Sequence, residues 1–205
     1  MDSSARSAGA ALIFGWAAYM LLMAVHPTHL GGPSLGHVNL NDAVHWSALA
    51  LIPVIGFGYI GLARALGFER APVMIGLGFA LFSLFAGLVA GTINGLALPE
   101  VLARLDTAEV DRASLEALRQ GYWWLNQGFA AIHYTFGAVS CGLFGLAWLR
   151  DPARRGLAWA GIVIALGFLI WLATGLWHPD IHGALFITLA LGGWAISAGF
   201  VLRRT

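Results

Sequence analysis

Residues 120–149 read QGYWWLNQGFAAIHYTFGAVSCGLFGLAWL, thirty positions without one Asp, Glu, Lys or Arg. As a helix rising about 1.5 Å per residue the stretch is ~45 Å long, more than a hydrocarbon core of about 30 Å requires. It opens on Tyr122-Trp123-Trp124 with Asn126 and Gln127 close behind, the pattern of an aromatic belt at a membrane interface. His133 lies well inside it. Reading outward in both directions, similar runs recur. The expectation is an all-α, polytopic membrane bundle of six transmembrane helices at about 8–25, 43–64, 72–96, 124–149, 156–177 and 179–202, forming a single domain over residues 1–205.

Composition agrees with that reading. The chain has 205 residues, of which 59% are hydrophobic and 10% charged, whereas soluble domains average about 25% charged residues. The net charge of +1 gives no reason to expect nucleic acid. Cys141 is alone, so an intrachain disulfide is excluded, and its apolar setting reads as core rather than nucleophile. The first apolar run lacks a small-residue cleavage site and is read as a retained helix.

Arginine placement orients the six segments. Arg6, Arg64, Arg70, Arg150, Arg154, Arg155, Arg203 and Arg204 fall on one side if the segments alternate. The positive-inside rule makes that side cytoplasmic, with both termini there, and the expected location is a bacterial inner membrane. Asn41 and Asp42 provide helix-capping side chains before the second segment, and Pro53 predicts a kink within it. The long connection 97–119 carries Leu98, Val101, Leu102 and Leu105 at helical spacing. It reads as an amphipathic surface helix in the outer loop between helices 3 and 4, either a connector or a lid.

On this topology all seven histidines gather at or near the outer side. His26, His29, His37 and His45 flank the first outer connection, and His178 and His182 the last. His133 lies in the outer half of the core. A histidine in hydrocarbon must find a partner, and imidazole is a frequent metal ligand. His178 and His182 are four apart, on one face of a helix, as two ligands of one metal would be. Asp180 between them is a candidate base, a third ligand, a hydrogen-bond acceptor that orients an imidazole, or a charge matched to a helix N-terminus. His37, in a glycine-rich loop, is the weakest candidate. Asp42 precedes His45 by three residues, within reach of its ring. For His133 the alternatives are a hydrogen bond to a neighbouring helix carbonyl or Asn94, and a ligand role at the floor of an outer cavity. Tyr134 is expected to face away from it. Asn94, Thr92, Asn126 and Gln127 are further sources of cavity polarity; Ser83, Ser140 and Thr174 read as packing hydroxyls. A short echo relates Val25-His26-Pro27 to Trp177-His178-Pro179.

Three functional classes follow. The first is a metal site near the outer face, for zinc or copper, drawing on His178, His182, His26, His29, His45 and His133, or a haem b held by two of His26, His45, His133 and His182. Zinc there points to hydrolysis of a lipid substrate, copper or haem to electron transfer with a quinone. The second is a non-enzymatic accessory or structural subunit of a membrane complex, or a small transporter; the lack of an intramembrane carboxylate weighs against ion-coupled transport. The third, a serine hydrolase, is disfavoured by the absence of Gly-x-Ser-x-Gly. The lipid bilayer is the one partner common to all of them.

The chain also resembles a widespread class of six-span bacterial membrane proteins. The marks are Val25-His26-Pro27, His45-Trp46, Gly61-Leu62-Ala63-Arg64, Leu98-Pro99-Glu100 and Gly156-Leu157-Ala158-Trp159-Ala160-Gly161. That resemblance implies six helices and no particular activity. His178 and His182 are similar to the closing His-x-x-x-His of the membrane hydrolase superfamily of alkaline ceramidases and adiponectin receptors, which implies metal-dependent lipid hydrolysis. That superfamily has seven spans and a Ser, His and Asp pattern that His45, Ser47 and Asp42 do not reproduce.

Overall fold

In a computed structural model the described residues are 3–26, 34–35, 38–107, 111–176 and 181–204. They form helices α1 (Ser3–Ala24), α2 (Leu40–Leu66), α3 (Ala71–Thr92), α4 (Leu98–Thr107), α5 (Arg112–Trp148), α6 (Arg155–Ala173) and α7 (Ile181–Arg204). A two-residue antiparallel ladder, Ser34–Leu35 with Val38–Asn39, precedes α2. Among the described residues six helices are long and apolar enough to cross a membrane, so this is an all-helical, multi-pass membrane protein. No backbone donor or acceptor can be left exposed in hydrocarbon, which is why unbroken helices carry the chain across.

The termini of these helices follow from local chemistry. The Asn39 side chain accepts from the Asn41 backbone N–H (2.9 Å) and starts α2. Gly67, at φ +91°, ends it with an N–H to the Arg64 carbonyl; that left-handed conformation favours glycine. Pro72 occupies the first turn of α3, where no donor is needed. Asp111 caps α5 through the Ala113 N–H (3.2 Å) and the Ser114 hydroxyl.

Two boundaries differ from the sequence expectation. Helix α5 begins at Arg112, a full twelve positions before 124, because the Asp111 cap and the Leu115 contact extend it beyond the apolar stretch. Helix α3 does not stop before the outer connection. It passes through a π-helical turn, Ile93–Ala97, directly into α4, whose Leu98 and Val101 are buried.

Helix contacts run α1–α2, α2–α3, α3–α5, α5–α6, α6–α7 and α7–α1, a closed ring. Helix α5 also touches α7 across the middle. Lipid offers apolar groups as good a solvent as the bundle does, so close packing must hold the helices together. A Cβ on Gly199 would come within 2.7 Å of the Gly9 carbonyl oxygen, and one on Gly61 within 2.1 Å of the Ala8 Cβ. Only glycine permits α1 to approach α7 and α2 this closely. Between the helices Tyr59 stacks on Phe144, Phe144 on Trp194, and Trp194 donates to the Leu157 carbonyl (3.0 Å). Cys141 is fully buried in this core. At the end of the bundle bearing the α2–α3 turn, Arg70 donates to the carbonyls of Leu66 (3.1 Å) and Ala147 (2.8 Å), tying α2 to α5.

Candidate functional site

At the opposite end the helices part around a cavity of about 390 Å³. Helix α1 supplies Tyr19, and His26 follows two residues after its last turn. Helix α2 supplies His45, α3 and its π turn Gly87, Gly91 and Asn94, and α5 Asn126, Gln127 and His133. Gly87, Gly91 and Gly95 are spaced by four and so fall along one stripe of α3. Against this stripe the imidazoles are seated. A Cβ at Gly95 would lie 2.1 Å from the His45 Cγ, and one at Gly87 2.9 Å from the His133 Nδ1. Bare backbone is what makes room for both rings.

His45 is buried. Its Nδ1 donates to the Asn41 carbonyl (2.8 Å), not to Asp42. The proton is thereby fixed on Nδ1, which leaves the Nε2 lone pair for another partner. That Nε2 lies 3.3 Å from the His26 Nε2 and 3.4 Å from the Asn94 Nδ2. The two imidazoles meet edge to face, with ring centroids 4.9 Å apart. Asn41 is buried and donates to the Gly95 carbonyl (3.1 Å). It thereby joins the start of α2 to the π turn, where one carbonyl needs a partner outside its own helix.

His133 repeats this pattern deeper in the bundle. Its Nδ1 donates to the Ser83 carbonyl (2.8 Å), and the Ser83 hydroxyl donates to the His133 carbonyl (2.7 Å). Its Nε2 is buried and has no hydrogen-bond partner among the described residues. Tyr19 contacts the ring edge-on, with centroids 6.4 Å apart. The Tyr134 ring is 4.9 Å away, centroid to centroid, and also lines the cavity, against the expectation that it faces elsewhere. The expected carbonyl bond is present, Asn94 serves His45 instead, and Ser83 orients a histidine rather than merely packing.

The structure thus brings His26 and His45 together and keeps His133 apart. His45 seats at Gly95 and His133 at Gly87, eight residues along α3, or ~12 Å. Among the described residues no group of three or more His, Cys, Asp or Glu side chains converges in metal-binding geometry. His182 lies in the first turn of α7. His29, His37, His178 and Asp180 lie outside the described residues.

Tyr19 and the Gly87-Gly91-Gly95 stripe were not singled out from sequence, and Asn41, expected as a helix cap, lies inside α2 because Asn39 provides the cap. The stripe has a sequence signal, glycine at every fourth position of one apolar segment. Asn41 has a weaker one, a second amide beside the helix cap.

No family model matches the chain, and no curated protein or solved structure is significantly similar to it.

Proposed function

We propose that this is a small bacterial inner-membrane protein that binds one transition-metal ion, zinc or copper, at the His26–His45 pair. The observation that carries the reading is the 3.3 Å between the two Nε2 atoms. Two ligand nitrogens of a tetrahedral site with metal–nitrogen bonds of about 2.0–2.1 Å are ~3.3–3.4 Å apart. The second support is the Nδ1 bond from His45 to the Asn41 carbonyl, because metal-ligating histidines characteristically donate their other nitrogen to a carbonyl or carboxylate. Imidazole suits both zinc and copper. Zinc would supply a polarising centre for a lipid ester or amide, copper a one-electron carrier for a quinone. His29, His178 and His182 are the candidates for completing the shell.

In this reading both termini are cytoplasmic, as the arginine distribution supports, and the histidine pair lies at the periplasmic face. Helix α4 then leaves the hydrocarbon and lies at that surface. The test is elemental analysis of the protein purified in detergent, with and without prior exposure to zinc and to copper. Near one equivalent of one metal in the wild type, lost in both His26→Ala and His45→Ala, supports the site. Wild-type protein that stays metal-free after both exposures overturns it and leaves the accessory-subunit alternative. Variants at His29, His178 and His182 then identify the remaining ligands.

A further inference from the structure

The lower half of the cavity carries a second feature that the metal pair does not use. His133 is 5% exposed, with its Nδ1 proton committed to the Ser83 carbonyl and its Nε2 without a partner among the described residues. A buried acceptor left unmatched is costly, and native proteins almost always satisfy such atoms. Since Nδ1 holds the proton, Nε2 is acceptor-only, and what completes it must be a donor. The surrounding wall is nearly all apolar or aromatic: Tyr19, Met23, Leu49, Ile52, Ala90 and Tyr134. Gly87 is covered by the His133 ring itself and Gly91 is approached by Leu49, so the open space lies on the far side of the imidazole, toward Tyr19 and Ile52. The volume of about 390 Å³ is at the small end of ligand-binding pockets.

From this geometry we infer that the cavity binds a hydroxylated aromatic amphiphile of the phenol or quinol class, with its O–H donating to the His133 Nε2. Its ring lies beside the His133 imidazole against Tyr19, and its apolar remainder extends between the helices toward lipid. Asn126 and Gln127, higher on α5, are placed to meet a second oxygen of such a ring. This inference does not depend on metal at His26 and His45, which is ~12 Å away along α3.

The donor requirement makes a clear test. Purified protein in lipid nanodiscs is titrated with 2-naphthol and, separately, 2-methoxynaphthalene, which keeps the ring and replaces the donor by a methyl ether. Ligand-observed NMR is referenced to empty nanodiscs. Ubiquinol-1 and ubiquinone-1 form a second pair differing in the same way. The expected result is binding of naphthol and of quinol tighter than their partners by at least about fivefold, the effect of one buried hydrogen bond. His133→Phe abolishes that preference, whereas His45→Ala retains it. Gly91→Leu fills the cavity and abolishes binding of both members of each pair, which keeps the site testable if the His133 variant does not fold. Equal binding within each pair overturns the inference. So does binding to the wild type that Gly91→Leu leaves intact, or no saturable binding at all; a water molecule then satisfies Nε2.

Discussion

Each buried imidazole here is defined by what its two nitrogens are allowed to do. In both His45 and His133 a backbone carbonyl takes Nδ1 and leaves Nε2 as an acceptor. Glycine then decides whether the ring can be there at all. Gly95→Ala places a methyl group in the space of the His45 ring, and overpacking of this kind costs about 1–3 kcal/mol. The expected outcome is a lower thermal midpoint in detergent; a metal at the proposed His26–His45 pair should be lost with it although neither histidine is changed, and retained metal would separate the ring position from binding. Sequence pointed to His26, His45 and His133 because histidine in an apolar segment is anomalous in itself. It could not show which of them meet. Pairing depends on the π turn, the glycine stripe and the Asn41 bond to the Gly95 carbonyl, all of which bring together residues from different helices.

Among the elements, α5 shows most clearly what hydropathy reveals and what it misses. The charge-free run predicted its membrane portion, because length without charge is decisive in a bilayer. Its polar first turns, Arg112 to Arg119, carry no hydropathy signal and read as part of the connection. They are helical because Asp111 caps them, and the Ser114 hydroxyl and the Ala113 N–H hold its carboxyl below the usual range. A depressed carboxyl contributes stability above its unfolded-state pKa and loses it as pH falls through the folded value. Acidification below the ordinary carboxylate range is therefore expected to fray residues 112–119 first, seen as faster amide hydrogen exchange there. Asp111→Asn, a neutral cap, should exchange at a rate with much weaker dependence on pH over that interval. At the other end of α5, Arg70→Ala removes two hydrogen bonds to helix-terminal carbonyls. A loss of about 2 kcal/mol is expected, measured by unfolding in mixed micelles, and Arg70→Lys should recover only part, since lysine lacks the guanidinium fork.

Across the whole molecule, one end is tied shut by Arg70 and a core of stacked aromatics, and the other opens on the histidines. Six spans were legible because each is an apolar run bounded by turn residues and arginines. The closed ring was not, since helix neighbours are set by shape and small residues rather than by any run of sequence. Orientation can be tested with cysteine labelling. Cys141 is buried, so Cys141→Ala gives a background free of thiols. Single cysteines at the exposed positions Ser4 and Gly156 should react only from the cytoplasmic side, and those at Ala113 and Ser114 only from the periplasm. The reverse pattern would invert the protein and place its cavity at the cytoplasm.

The pairing of α1 with α7 has a consequence for synthesis. The first helix enters the membrane with a glycine groove at Gly9 that Gly199 is to fill, and α7 starts only at Ile181. At about 5–20 residues per second the ribosome needs roughly ten to thirty seconds to deliver it. Through that interval α1 has α2 beside it and no partner on its other face. Translation arrested before Ile181 therefore leaves the ring incomplete, with the Gly9 face of α1 uncovered.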